Sequence, residues 1–278
     1  MTRLLLSTDL DRTLLPNGEQ PESPDARSAF GRVAAHPDCT LAYVSGRDLG
    51  RVRAAIAEFG IPTPDYVIAD VGSTIYRADG GIWGDWHEAI AADWAGLDGE
   101  GLARMFADLG ALQPQEPDRQ GRFKLSWYTV ADIDVAGLKA QMQTRLTAAR
   151  VRANLIWSLD ETTGTGLLDL LPASASKRHA LEFLAERLGF AGEAVLFAGD
   201  SGNDLEVLAS PIPAVLVANA TAEVRAEALG LALAAGHPEA LYCARGGYLG
   251  MNGNYSAGIL EGLHHYYPDW AARVLGGE

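Results

Sequence analysis

Cysteine is nearly absent from this 278-residue chain, which holds only Cys39 and Cys243. Two cysteines so far apart cannot make a disulfide framework, so a reducing compartment fits better than secretion. Positive charge is scarce too. Against 36 Asp and Glu stand 22 Lys and Arg, a formal net charge of −14. A globally acidic surface repels nucleic acid and argues against a DNA- or RNA-binding role. No apolar run approaches the length of a membrane span, and the segment from Met1 turns acidic by Asp9, unlike a signal peptide. Internal repeats and low-complexity tracts are missing as well. These absences predict a cytoplasmic globular protein with neither nucleic-acid nor membrane partners. Its length allows one large domain or two modest ones.

What is present reads as alternating strand and helix at both ends of the chain. Leu4 to Thr8, Leu41 to Val44 and Tyr66 to Ala69 are short apolar runs. Pro24 to Ala35 and the stretch after Arg47 up to Phe59 suit helices. The pattern returns with a helix over Ser176 to Leu188, stopped by Gly189, and with apolar runs at Ala194–Ala198 and Ala214–Val217. Apolar strands separated by helices predict a parallel sheet buried on both faces. The middle differs. Five of the six Trp lie between residues 83 and 157. Phe123, Leu125 and Trp127 alternate with Lys124, Ser126 and Tyr128, the period of a strand with one polar face. A helix over Val135–Ala149 follows, then strands at Leu155–Ser158 and Leu167–Leu171 with a turn at 162–166. The expected organisation is a core of residues 1–80 and 173–278 with a cap of residues 81–172 inserted.

Ligands of a parallel α/β sheet bind beyond the carboxyl ends of its strands. Three predicted strands end in polar clusters there. Asp9 and Asp11 flank Leu10, so one carboxylate can attack while the other handles protons. Ser45-Gly46-Arg47 offers a hydroxyl and free backbone amides for a phosphate oxygen. Gly199-Asp200-Ser201-Gly202-Asn203-Asp204 gathers hard oxygen ligands that suit Mg²⁺. Lys177 opens a helix between the second and third clusters and can supply a point charge to phosphate.

In this order the clusters resemble the four motifs of the haloacid dehalogenase (HAD) superfamily of phosphotransferases, and the resemblance covers both core halves. It implies an α/β fold: a HAD-like Rossmannoid core with a parallel sheet and an inserted α/β cap of the C2 type. Within the superfamily, the strings Ser7-Thr8-Asp9-Leu10-Asp11, Pro64-Asp65-Tyr66, Lys124-Leu125-Ser126 and Asp169-Leu170-Leu171-Pro172 look most like sucrose-phosphate phosphatases. The mannosylfructose-phosphate phosphatases share most of them. The resemblance implies an enzyme that hydrolyses sucrose 6-phosphate with Mg²⁺ through an aspartyl-phosphate. Asp9 would be the nucleophile and Asp11 the general acid and base, with a raised pKa. Ser45 and Lys177 would hold the phosphoryl group, with Thr13, Gly46 and Arg47 beside it. Asp9, Asp11, Asp200, Ser201, Asn203 and Asp204 would form the metal site. Lys124 and Ser126 would contact the sugar, a phosphorylated disaccharide, and a sucrose-phosphate synthase is a candidate partner. Other sugar or polyol phosphates, and a non-catalytic sugar-phosphate binder, are the alternatives.

Each feature has a plainer structural meaning. Ser45 and Asn203 or Asp204 can be helix caps. The Trp cluster reads first as the small core of the cap. His264 and His265 are expected to be packing and surface residues of a terminal helix, since adjacent helical residues point apart. The Gly- and Asn-rich segment from Gly246 to Tyr255 is either a simple connection or an element that approaches the cleft.

Overall fold

In the computed structural model, residues 3–130, 132–160 and 164–276 are described. The predicted turn at 162–166 falls partly outside them, at Thr162 and Thr163. The chain divides into two compact units, Met1–Gly81 with Lys177–Glu278, and Ile82–Ser176.

The first unit opens with β1 (Leu4–Thr8), α1 (Ala26–Ala34), β2 (Cys39–Val44), α2 (Leu49–Phe59), β3 (Tyr66–Ala69) and β4 (Thr74–Arg77). The second unit holds α3 (Gly84–Ala91), α4 (Gly99–Met105), β5 (Gln113–Pro114), β6 (Leu125–Thr129), α5 (Val135–Ala148), β7 (Ala153–Asp160) and β8 (Thr165–Pro172). The first unit resumes with α6 (Lys177–Leu188), β9 (Val195–Gly199), α7 (Leu205–Leu208), β10 (Ala214–Leu216), α8 (Ala222–Ala235), β11 (Leu241–Cys243), α9 (Ser256–Tyr266) and α10 (Pro268–Leu275).

The first unit is a mixed α/β layer fold around a seven-stranded sheet of order β11-β10-β9-β1-β2-β3-β4. All pairings are parallel except β3 with β4. Every residue of β1 is buried, because the strand sits mid-sheet with both faces covered. Leu4 and Leu6 share a core with Leu41, Val67, Ile259 and Leu263. The strand order runs outward in both directions from β1 and β9, which makes their boundary a topological switch point. Thr8 pairs with Tyr43 on one side and Ala198 on the other, so Asp9, Ser45 and Asp200 emerge side by side at one sheet edge.

The second unit carries a four-stranded antiparallel sheet of order β5-β6-β8-β7. Phe123, Leu125 and Trp127 are buried as the alternation requires. The strand starts later than expected, at Leu125, and Lys124 precedes it in a bridge with Gly121. Four of the five clustered Trp (Trp83, Trp86, Trp94 and Trp127) are buried in this unit's core, with Trp94 edge-on to Phe123 at 5.2 Å. β4, β5, β11, α3, α4 and α8 were not legible from periodicity. β4 (Thr-Ile-Tyr-Arg), β5 (Gln-Pro) and β11 (Leu-Tyr-Cys) are not wholly apolar runs like β3 and β10, and α8 buries only Ala228 and Ala232.

Candidate active site

Asp9 leaves the end of β1 with its N–H on the Ala198 carbonyl at 2.9 Å and only 3% of its surface exposed. The chain then turns sharply. The Leu10 carbonyl accepts from the amides of Thr13, Leu14 and Leu15, and Arg12 adopts a left-handed φ of 59°. That turn directs Asp9 and Asp11 to one cavity, of about 550 Å³, whose lining also includes Arg12, Arg47, Arg51 and Asp200.

Lys177, the first residue of α6, is buried and extends its Nζ into the carboxylates. It lies 3.1 Å from Asp9 Oδ1 and donates to Asp204 Oδ1 at 2.8 Å and Asn203 Oδ1 at 2.9 Å. Asp204 also accepts from the amides of Asp200 and Ser201 through Oδ2, at 3.1 and 3.2 Å. Ser201 and Asp204 form a capping box on the short turn that leads into α7, and Asp204 stands at the N-cap position of α7 itself, without a side-chain cap there. Gly199 makes room for this: a Cβ there would lie 2.7 Å from the Asp204 side chain.

Asp9, Asp200 and Asp204 each place one carboxylate oxygen within 4.8 Å of the others. Burial pushes Asp9 up to about 8; Lys177 opposes this, and Asp204 and Asp200 add to it. Burial and Asp204 push Asp200 up to about 6 against the Thr13 hydrogen bond and Arg12. Asp200 Oδ2 is buried without a hydrogen bond, and its nearest cation, Arg12 Nε, is 3.5 Å away. The three carboxylates, with an orphaned buried oxygen on Asp200, offer the hard oxygen donors that fit Mg²⁺, and Lys177 offsets only part of their charge.

Ser45 follows β2, with its amide on the Ile68 carbonyl at 2.8 Å and its Oγ accepting from the Arg47 amide at 3.2 Å. It does not cap α2. Asp48 does, accepting from Arg51 N. Thr13, expected beside the phosphate, instead spends its hydroxyl on Asp200 Oδ1 at 2.9 Å and so holds that carboxylate in place.

Asp11 departs from expectation. Arg47 grips it with Nε and Nη2 at 2.8 and 2.6 Å, and Asn17 donates to it at 2.7 Å. Burial alone would raise this carboxyl, but the Arg47 hydrogen bonds and charge, with Asn17, outweigh it and hold the pKa below the ordinary carboxylate range. The expectation of a raised pKa counted neighbouring acids and omitted the arginine that the fold brings 36 residues along the chain. Asn17 and Arg51 were also missed. Arg51 lies in the first turn of α2, four residues after Arg47, which precedes the helix.

Lys124 and Ser126 lie in the second unit. Ser126 Oγ donates to Asp169 Oδ1 at 2.5 Å, and Lys124 Nζ lies 4.0 Å from Asp169 Oδ2. Gln120 also pairs with both backbone groups of Ser126. Sequence reasoning did not single out Asp169 as a site residue, although register places it opposite Ser126. His264 and His265 stack on Tyr248 and Tyr242, at 4.3 and 4.2 Å between ring centroids, in keeping with packing roles.

Residues 2–267 match the family described as sucrose-6F-phosphate phosphohydrolase. The chain belongs to that family. It is therefore a phosphatase of the HAD superfamily. The phosphatase is 51% identical over 273 residues to a protein of Nitrosococcus oceani that carries only the name of a HAD-like hydrolase, covering 97% of this chain and 73% of that protein. It is 28% identical to the mannosylfructose-phosphate phosphatase of Agrobacterium fabrum, over 79% of this chain and 85% of that one. Against the glucosylglycerol-phosphate synthase of Pseudomonas anguilliseptica it is 30% identical, but spans only 26% of that protein. It spans about half, 52%, of the plant sucrose-phosphatases it matches. Among solved structures it is similar to the sucrose-phosphatase of Synechocystis in complex with sucrose and phosphate, with a TM-score of 0.71 and 25% identity over 96% of this chain and 98% of that one. A haloacid dehalogenase-like hydrolase of Bacillus subtilis shares the fold at a TM-score of 0.64 and 15% identity, over 94% of this chain and 91% of that one. No described helix is long and apolar enough to cross a membrane.

Proposed function

We propose that the phosphatase hydrolyses sucrose 6-phosphate to sucrose and phosphate, with Mg²⁺, through an aspartyl-phosphate on Asp9. The observation that carries this reading is the buried cluster at the switch point, where Asp9 meets Lys177, Asp200 and Asp204 in a chain of the sucrose-6F-phosphate phosphohydrolase family. Asp9, Asp200 and Asp204 would hold the divalent cation, which would offset the repulsion between a dianionic ester and the carboxylates.

An Asp9 carboxylate oxygen attacks phosphorus in line, and the bond from phosphorus to the sugar oxygen breaks. The electron pair leaves with that oxygen, which takes a proton from the Asp11 carboxyl. Asp11, now a carboxylate, accepts a proton from the water that attacks the aspartyl-phosphate, and the bond from phosphorus to Asp9 breaks. In the observed geometry Asp11 only accepts hydrogen bonds. Arg47 must therefore shift its guanidinium toward the phosphoryl oxygens before Asp11 can serve as the acid. Ser45, Gly46 and Lys177 complete the phosphoryl cradle.

We assign residues 82–176 the choice of sugar, with Lys124, Ser126 and Asp169 as its polar readers. Mannosylfructose phosphate is the second reading, because the identity to a phosphatase named for that substrate equals the 28% shared with plant sucrose-phosphatases. The free Cys39 and Cys243 fit a cytoplasmic enzyme, and a sucrose-synthesising partner would supply the substrate. The test is Mg²⁺-dependent phosphate release from sucrose 6-phosphate, mannosylfructose phosphate and hexose phosphates, with Asp9→Asn as control. The highest kcat/KM is expected for sucrose 6-phosphate. A preference for another ester overturns the substrate and leaves the core chemistry standing.

A further inference from the structure

The Gly- and Asn-rich segment from Gly246 to Tyr255 is not a simple connection. Four of its glycines (Gly246, Gly247, Gly250 and Gly253) and two other residues, Leu249 and Tyr255, adopt positive φ. Glycine takes such a conformation freely, but at Leu249 and Tyr255 it persists only where the surroundings over-determine it. Tyr255 is fully buried at φ 52° and sends its amide to Asn219 Oδ1 at 2.8 Å. Asn219, 4% exposed, sits beyond the end of β10 and passes the constraint on. Its Nδ2 donates to the Arg12 carbonyl at 2.6 Å.

Arg12 is the left-handed residue of the turn that separates Asp11 from Thr13. Its peptide is bracketed, with the amide on Asn17 Oδ1 at 2.8 Å and the carbonyl on Asn219. The same far segment supports the Asn17 side of the turn. Tyr255 Oη donates to the Gln20 carbonyl at 3.0 Å, and Asn252 Nδ2 donates to the Pro21 carbonyl at 2.8 Å. The Tyr255 hydroxyl also lies 2.8 Å from where a Cβ of Gly18 would stand, so the two segments close tightly.

We infer that Asn219 is a positioning residue for the reaction: by holding the Arg12 carbonyl against the strained Tyr255 segment, it sets the turn that aims Asp9 and Asp11 at the phosphoryl group. The inference rests on the reading of Asp9 and Asp11 given above. Asn219 touches neither carboxylate and no phosphate-binding group, so it acts on geometry through the Arg12 peptide. A loop misplaced by about 1 Å costs on the order of 10²-fold in rate with little effect on ground-state binding.

The experiment compares wild type with Asn219→Ala, Asn219→Asp, Tyr255→Phe and Asp9→Asn, in Mg²⁺, on sucrose 6-phosphate and on para-nitrophenyl phosphate. Asn219→Asp keeps the acceptor for Tyr255 N–H but sets an anionic oxygen against the Arg12 carbonyl, so it isolates the bond in question even if Asn219→Ala does not fold. Both Asn219 variants are expected to lose roughly 10- to 100-fold in kcat with KM within about threefold. The inhibition constant of orthovanadate, which imitates the pentavalent transition state, should rise in parallel, while that of inorganic phosphate holds. Tyr255→Phe, losing only the hydroxyl's contacts to the backbone at Gly18 and Gln20, should keep kcat within about threefold of wild type. Wild-type kcat in Asn219→Asp overturns the inference. So does a kcat loss with an unchanged vanadate constant, which marks a smaller folded fraction. Full turnover by Asp9→Asn, or turnover of neither ester by wild type, overturns the site reading itself and the inference with it. Turnover of para-nitrophenyl phosphate alone removes only the substrate, and the Asn219 comparison then decides on that ester.

Discussion

The sheet edge of the first unit and the polar face of the second unit's sheet both gather charged groups, yet they do so differently. At the sheet edge, Asp9, Ser45 and Asp200 each follow a buried parallel strand; the amides of Asp9 and Ser45 donate to backbone carbonyls of neighbouring strands, and that of Asp200 donates to the Asp204 carboxylate. On the second sheet, Ser126 and Lys124 depend on Asp169, a residue 43 positions beyond Ser126, and on Gln120. The first arrangement buries three acids around one lysine, and burial raises the pKa of Asp9 and Asp200. The second leaves Asp169 half-buried with a hydroxyl and an ammonium nearby. Chemistry needs the first kind of site, where low dielectric makes each charge count. Selection among similar sugars suits the second, where hydrogen bonds can be exchanged one at a time.

Asp9→Asn draws the sharpest contrast. It should lower kcat by at least about 10³-fold at unchanged fold, measured as phosphate release, because nothing else at the site would replace the nucleophile proposed above. Lys177→Met comes next. It leaves Asp9 and Asp204 buried without their cation and should cost about 3–5 kcal/mol of stability in denaturant titration without metal. A smaller loss would mean that Asp9, raised to about 8, is already neutral in the absence of metal.

Stability should also depend on pH. Burial raises Asp9 from 3.8 to about 8 and Asp200 from 3.8 to about 6. The folded chain therefore holds protons that the unfolded chain has released. The contribution of these two groups to stability falls as pH rises from near 4 to about 8. In chelator, Asp9→Asn should flatten this decline in a melting-temperature series. Mg²⁺ should raise the melting temperature more at pH 8 than at pH 5, since its ligands must be deprotonated. The smallest effect belongs to the second unit. Lys124→Ala should raise KM for sucrose 6-phosphate several-fold more than for para-nitrophenyl phosphate, with kcat changed by less than about threefold. Equal effects on both esters would remove Lys124 from sugar recognition and weaken the contrast between the regions.

Contiguous strings made the core legible. Asp9 and Asp11, Ser45 to Arg47, and Gly199 to Asp204 each hold their chemistry within six residues of a strand end, and short apolar strands announce where those ends fall. Partners supplied from far away were not legible. Arg47 lies 36 residues from Asp11 and lowers a carboxyl expected to be raised. Thr13 reaches 187 residues to Asp200, and Asn219 reaches 207 residues back to Arg12. Ser126 read as a member of the polar face of an alternating strand, and the Asp169 and Gln120 that bond it there were not foreseen.

By itself, the sequence determined the α/β layout, the buried central strands and the residue types at the sheet edge, because periodicity and strand-end chemistry are local properties of the chain. Only the tertiary structure decided which acids surround Lys177, which arginine holds which carboxylate, and what supports the Asp9–Thr13 turn. Those outcomes depend on distance and burial, and both are settled when segments remote in sequence pack together.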